Sequence, residues 1–471
     1  MQSFRSWHRK DKARCKMVRE EGDESMTGQK DLTRGPVFAT MSVFALPMIC
    51  GNILQQAYNI VDTWVVGHMI GADALAAVGS AFALMTFLTS VLLGLCMGSG
   101  TVFSLCFGRQ DGKALADSIC AAFLLLMAIV CVLTAGSLLC VDAVAVWMHI
   151  PQEITEMTRG YLALVFWGIP AVALYNFFGA YLKSVGNAVV PLLFLGVSTV
   201  SNISLDLLFV AVLRWGTQGA GAATVISQYL AGAGIGIYVL TKEKEVREAF
   251  RTFRIRRASL LTIANYSVLT CMQQSVMNLG ILLVQGLVNS FGTVVMAAFA
   301  AAVKIEAFAY MPAQEYANAF STFIAQNRGA GRQQRVKKGI RCAVRTVFFY
   351  CLLASLLIWL FAEPLMLIFV ARKETDILAQ GVRYLRIVGP FYCGIGCLFL
   401  FYGLYRAVGK PGMSVVLTVI SLGTRVLLAY LLSAMTRMGA AGIWWAIPVG
   451  WGLADLAGVI YYLHRREQVL R

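Results

Sequence analysis

LPMICGNILQQAYNIVDTWVVG, residues 46–67, is apolar enough for a membrane helix, yet it carries Asn52, Gln55, Gln56, Asn59 and Asp62. Asn52, Gln55, Asn59 and Asp62 fall at i, i+3, i+7 and i+10, which on a helix gathers them into one stripe. An ionised Asp at the centre of a lipid-facing helix costs roughly 2.5–3.5 kcal/mol, so the stripe must face water or other helices. Pro47 lies about four turns before Asp62. It removes one backbone hydrogen bond and gives the helix a place to bend. Two readings follow: a moving helix that ends in a buried acid, or a fixed polar contact with Asp62 permanently protonated.

The rest of the chain makes this stretch a membrane segment. Of its 471 residues 58% are hydrophobic and only 14% charged, and the mean hydropathy is +0.70. Soluble domains run about 45–50% apolar and about 25% charged. The apolar runs have helical length and recur along almost the whole sequence, which excludes a β-barrel of short alternating strands. Twelve helices are expected, near 37–67, 74–106, 115–140, 157–182, 189–213, 219–241, 259–289, 293–326, 342–370, 378–407, 411–436 and 440–463.

The net charge of +16 resembles that of a nucleic-acid binder, but the cations sit in short loops between apolar runs and no nucleic-acid motif occurs. Counted over the predicted layout, 31 of the 40 Lys and Arg residues fall on one side, with both chain ends. By the positive-inside rule that side is cytoplasmic. The first 34 residues, without a signal-peptide core, read as a disordered polar tail. Met17, Met26 and Met41 leave room for a later start. The twelve Cys lie mostly in apolar helices without metal or disulfide spacing. No Walker loop appears, which argues against direct use of ATP.

Lys242 to Arg257 is the longest polar interruption, and the halves around it resemble each other. Gln55-Gln56 answers to Gln273-Gln274, Gly71 to Gly292, Tyr161-Leu162 to Tyr384-Leu385, Lys183 to Arg406 and Gly186 to Gly409. Six helices per half give both halves one orientation, so the repeats are parallel, an architecture suited to rocking about a central site. Helix 5 carries Ser198, Asn202 and Asp206 on one face, and Thr224 lies about one turn into helix 6. If Asp62, Asn202, Asp206 and Thr224 converge, they present oxygen ligands only, suited to a proton or a hard cation and not to zinc or copper. A structural hydrogen-bond network is the other reading. Aligning Gly219-Ala-Gly-Ala with Gly439-Ala-Ala-Gly sets Arg425 within one residue of the position equivalent to Asp206. In helix 8, Lys304 and Glu306 point to different sides, and Pro312 is a candidate kink. Glu306 and Arg425 either line a pathway or neutralise each other.

These residues resemble the multidrug and toxic compound extrusion (MATE) transporters, in particular their prokaryotic DinF-like branch. The likeness spans about residues 36–463 and is carried by LPMICGNILQQAYNIVDTWVVGHMIG, the SNISLDLLF and GAGAATVISQ segments, and FIAQNRGAGR. It implies two six-helix lobes around a central cavity and antiport of drugs against protons or sodium. The family's cation site maps onto Asp62, Asn202, Asp206 and Thr224, and its helix-1 proline onto Pro47. Some members carry an acid in helix 7, where this chain reads QQSVMNLGILLVQ.

The expectation is therefore an all-α membrane protein of twelve transmembrane helices in two parallel-repeat six-helix lobes around a central cavity. Its divisions are a polar tail 1–35, a lobe 36–241, a basic linker 242–258, a second lobe 259–464 and a tail 465–471. The expected function is export of organic, often cationic, compounds in exchange for protons or sodium ions, without catalysis and without a cofactor. The coupling site is Asp62, Asn202, Asp206 and Thr224; the moving helix carries Pro47, Asn52, Gln55 and Asn59; pathway candidates are Gln273, Gln274, Lys304, Glu306 and Arg425. The expected partners are drug-like molecules and the lipid bilayer, not nucleic acid, and the expected form is a monomer in a bacterial cytoplasmic membrane with both termini inside. A flippase for a lipid-linked precursor is the alternative.

Overall fold

The computed structural model of the chain describes residues 30–143, 152–435 and 438–467. The predicted tail up to residue 29, His149 and Arg437 lie outside them. The described residues contain twelve helices long and apolar enough to cross a membrane, and no strand. In lipid no water satisfies backbone groups, so each crossing closes its own hydrogen bonds as a helix. Numbered by crossing, helices 1 to 3 are Val37–Met69, Ala72–Gly108 and Gly112–Leu139. Helix 4 is Gln152–Phe166 continued by Ile169–Ser184, helix 5 is Val189–Asp206 continued by a π-helical Leu207–Val212, and helix 6 is Gly216–Lys242. Helices 7 to 9 are Arg257–Asn289, Thr293–Gly329 and Gln333–Leu360. Helix 10 is Thr375–Val388 and Tyr392–Ala407 joined by a 3-10 turn, helix 11 is Pro411–Met435, and helix 12 is Ala440–His464.

Three departures from the expected layout have local causes. Helices 4 and 10 are interrupted, the first at Trp167 and Gly168 just before Pro170, the second at Gly389–Phe391 around Pro390. Proline lacks the N–H that would carry the helix through. Helix 9 begins at Gln333 rather than near 342, because its first turns are amphipathic. Val336, Gly339, Ala343 and Val347 are buried, while Lys337, Lys338, Arg341 and Arg345 stay outside. The basic linker contains a helix, Lys244–Thr252, that buries Val246 and Ala249 and sets Phe250 edge-on to Phe123 of helix 3 at 4.9 Å.

The packing repeats. Helix 1 lies on helix 5, helix 2 on helices 3 and 4, and helix 6 on helices 4 and 5; helices 7, 8 and 12 do the same with 11, with 9 and 10, and with 10 and 11. Across the lobes, helix 2 meets helix 7 and helix 1 meets helix 8, each contact the mirror of the other in the repeat. Gly186 and Gly409 turn the chain into helices 5 and 11 with φ of +94° and +81°, a region favourable only to glycine. Counting from these turns puts Arg425 opposite Asn202 and Ala429 opposite Asp206. That is about one helical turn from the register inferred from Gly219 and Gly439.

The lobes touch on the face that carries the basic loops. A Cβ on Gly98 would lie 2.5 Å from Ser267 Cα, one on Gly108 2.1 Å from Gln326 O, and one on Gly329 2.3 Å from Leu105 O. Such small residues let helices approach closely. Ser99 and Ser267 share a 2.9 Å hydrogen bond, and Gln326 Nε2 donates to Ser184 O at 2.6 Å. The last residues of the predicted tail are ordered here, contrary to expectation. Lys30 N donates to Gly186 O at 3.1 Å on one lobe, and Asn327 Nδ2 and Arg335 Nη2 donate to Leu32 O on the other. Leu32 is fully buried. At the level of Asn52 a small cleft lies between the lobes, lined by Met97 of helix 2 and by Gln273, Gln274 and Gln314 of helices 7 and 8.

Candidate functional site

Helix 5 changes from α to π winding immediately after Asp206. Such changes of winding concentrate at functional sites. Asn202 and Asp206, one turn apart, are 0% and 1% exposed, and Thr224 of helix 6 is also buried. Asn202 Nδ2 donates to Thr224 Oγ1 at 3.5 Å. Helix 1 delivers Asp62 to the same point, where its carboxyl lies within hydrogen-bonding reach of the Asp206 carboxyl. All four residues expected at the coupling site thus converge.

Their oxygens are poorly served. Asp62 Oδ1, Asn202 Oδ1 and both Asp206 carboxyl oxygens are buried without a hydrogen-bond donor from the protein. A buried acceptor left unmade costs about 1–3 kcal/mol, and more when charged. Two unit charges about 4 Å apart at an effective dielectric of about 20 repel by about 4 kcal/mol. The pair therefore calls for a positive charge between or beside its oxygens, either a proton or a small hard cation. Two carboxylates, an amide oxygen and a hydroxyl are ligands for such an ion. Among the described residues no group of three or more His, Cys, Asp and Glu side chains forms a metal site.

Two tyrosines were not among the expected residues. Tyr58 turns its hydroxyl toward Thr224, and Tyr161 of helix 4 lies beside Asp62 and Asp206. Tyr58 stands at i−4 from Asp62, so helical spacing alone pointed to it. Tyr161 is visible in sequence only as a partner of Tyr384 in the repeat.

The helix-1 stripe divides its duties. Asn52 Nδ2 donates to Glu315 Oε1 of helix 8 at 3.2 Å, across the lobes. Asn318 Nδ2 donates to the same oxygen at 3.5 Å, and Arg406 Nη2 donates to Asn318 Oδ1 at 3.2 Å. Gln55 is exposed, and the Asn59 side chain donates to Gln56 Oε1 at 3.2 Å, within helix 1. Helix 1 runs unbroken through Pro47. Gln273 and Gln274 line the cleft floor with Met97, Gln314, Asn318 and Arg406, around a space of about 20 Å³.

Glu306 turns away from the cleft, into the second lobe. It accepts a short hydrogen bond from the Tyr384 hydroxyl, and Arg425 lies close enough to act on it electrostatically. Phe299 and Trp444 stack beside them at 5.3 Å. Lys304, two residues earlier, is exposed.

Twelve membrane helices in two parallel repeats, with a buried acid pair in one, are an architecture found in membrane transporters. The MatE family model matches residues 47–208 and again 270–431, and the chain belongs to that family, the multidrug and toxic compound extrusion transporters. The chain is 28% identical over 443 residues to the probable multidrug resistance protein YpnP of Bacillus subtilis, covering 94% of this chain and 98% of that one. It is 26% identical over 465 residues to the probable multidrug resistance protein YoeA of the same organism, covering 96% and 99%. A MOP superfamily transporter from Pyrococcus furiosus has the same fold, with a TM-score of 0.87 at 22% identity over 93% of this chain and 98% of that one.

Proposed function

We propose that this protein is a secondary antiporter that exports organic, often cationic, compounds in exchange for protons or sodium ions. The observation that carries the proposal is the set of four donorless buried oxygens at Asp62, Asn202 and Asp206. Thr224 and Tyr58 complete the shell around the ion. Residues 36–241 and 259–464 move as the two lobes, and the basic face with both termini is cytoplasmic. The chain works as a monomer in a bacterial cytoplasmic membrane. The flippase alternative draws no support from the multidrug-resistance relatives.

Helix 1 is the transmitter. It holds Asp62 against Asp206 at one level and Asn52 against Glu315 at another, with Pro47 below both as the weak point of its hydrogen-bond ladder. Loss of the ion leaves two repelling carboxylates, which expels Asp62 from the site and strains the Asn52 contact that keeps the lobes in register. Coupling requires that ion and drug favour different arrangements of the lobes. A membrane potential of 100 mV, negative inside, adds about 2.3 kcal/mol for each charge carried inward across the whole membrane.

The test is ethidium transport in proteoliposomes under a proton gradient and, separately, a sodium gradient, with Asp62→Asn alongside. Uphill transport under one gradient, abolished by the substitution, is the expected result. Wild-type protein that moves no dye under either gradient overturns the proposal.

A further inference from the structure

A second cavity lies away from the acid pair, on the basic face where helix 1 of the first lobe meets helix 9 of the second. It is an open groove of about 590 Å³, lined by Phe38 of helix 1 and by Lys338, Arg341, Arg345 and Phe349 of helix 9, with Cys342 and Thr346 between them. Phe38 and Phe349 are 58% and 66% exposed. The first-lobe wall is anchored: Arg335 Nη2 donates to Leu32 O and Arg34 O at 3.1 and 2.8 Å, just before helix 1 brings in Phe38.

Helix 9 carries a gradient of chemistry along one strip. At about 100° per residue, Lys338, Arg341, Arg345, Phe349, Leu352 and Leu356 fall within about 80° of one another around the helix. All six are exposed, while the opposite side, with Val336, Gly339, Ala343 and Val347, is buried. The strip is cationic over its first two turns and apolar from there on. A hydrocarbon layer about 30 Å thick takes about 20 helical residues, so measured back from Leu360 it begins near residue 340. Arg341 and Arg345 therefore stand at its edge, with the apolar part of the strip inside it. No carboxylate of the described residues lies within ion-pair distance of Lys338, Arg341 or Arg345. Cations at the border of lipid call for an anion.

We propose that this groove is a binding site for one anionic phospholipid. Arg341 and Arg345 hold its phosphodiester, Lys338 faces the polar end of the headgroup, and an acyl chain lies along Phe349, Leu352 and Leu356. Guanidinium groups match phosphate with pairs of charge-assisted hydrogen bonds. Basic pockets between membrane helices take headgroups of this kind. A soluble phosphate uses the cations but leaves the two aromatic rings and the apolar strip without a partner. A zwitterionic lipid brings a further positive charge toward three cations. Residues 1–29 carry seven Lys and Arg against five Asp and Glu, so their charge does not complement the groove.

The test is native mass spectrometry of the full chain in dodecylmaltoside, titrated with phosphatidylglycerol or with phosphatidylcholine of the same acyl chains. Wild type takes up one phosphatidylglycerol at least about tenfold more tightly than phosphatidylcholine. Arg341→Gln with Arg345→Gln weakens phosphatidylglycerol about 30-fold, the worth of two basic residues at an anionic headgroup, and leaves phosphatidylcholine within about twofold. Lys242→Gln with Arg251→Gln removes the same charge from exposed positions elsewhere on the basic face and leaves both lipids within about twofold. Glycerol 1-phosphate in excess does not displace the lipid. Equal binding of the two lipids by wild type overturns the proposal. So does an equal loss in the two double variants, which makes the attraction a property of the whole basic face. Displacement by glycerol 1-phosphate assigns the groove to a soluble phosphate and overturns it as well.

Discussion

The two lobes share a chain path but surround the acids at Asp62 and Asp206 and at Glu306 differently. In the first, Asp62 and Asp206 meet with no cation of the protein beside them, and three of their four carboxyl oxygens lack a donor. In the second, Glu306 is held by the Tyr384 hydroxyl and lies near Arg425. The repeat places Tyr161 opposite Tyr384 and Asn202 opposite Arg425, so the same two positions frame both clusters. Arg425 stands in one lobe where the other has the amide Asn202. The duplicated scaffold thus carries an acid pair without donors in one lobe and a tyrosine-bound Glu306 near a guanidinium in the other.

The sharpest way to break this contrast is to remove the acids. Asp62→Asn or Asp206→Asn reduces gradient-driven accumulation of substrate about 100-fold, the scale of a full coupling free energy, while Glu306→Gln preserves coupling. Uptake assays in proteoliposomes read both. A second contrast is in stability. Arg425→Met removes the guanidinium near Glu306 and destabilises the protein by about 1–3 kcal/mol, and adding Glu306→Gln restores part of the loss. Asp62→Asn relieves a repulsion and leaves thermal stability unchanged or higher. Melting curves in detergent separate these signs.

Where the lobes are alike, they respond alike. Gly108→Ala and Gly329→Ala each force a Cβ onto backbone of the other lobe and cost the closed basic face about 1–3 kcal/mol. Labelling of a cysteine introduced at Ser184 rises in both. The smallest effect is at Thr224. Thr224→Val removes the hydroxyl that accepts from Asn202, keeps the shape, and weakens ion affinity by about 1 kcal/mol. Titration of sodium or protons against intrinsic fluorescence reads the shift.

Much of this was legible in the sequence because membrane chemistry makes polar residues conspicuous. Asp62, Asn202 and Asp206 stand out against apolar helices, and their i+4 and i+10 spacings announce shared faces. The register of the repeat was less legible. Gly219 and Gly439 resemble each other, but Gly186 and Gly409, with their positive φ, mark the turns that set helices 5 and 11. Glu306 and Lys304 are two residues apart, yet one is sealed in a lobe and the other is exposed. Helical geometry predicts their divergence but not which residue faces which way, because that depends on where helix 9, 10 and 12 side chains pack. The hold of Asn327 and Arg335 on residues 32–34 was also hidden, since it joins positions about 300 apart in the chain through main-chain oxygens that carry no residue signature.

The most direct test of the central claim is proton or sodium release on addition of ethidium to purified protein in weakly buffered solution. A pH electrode and a sodium-sensitive dye follow the wild type, Asp62→Asn, Asp206→Asn and Glu306→Gln. The account predicts release of one kind of ion by the wild type and by Glu306→Gln, and none by either Asp variant. Release that persists in both Asp variants and disappears in Glu306→Gln would place the exchangeable ion in the second lobe and contradict it.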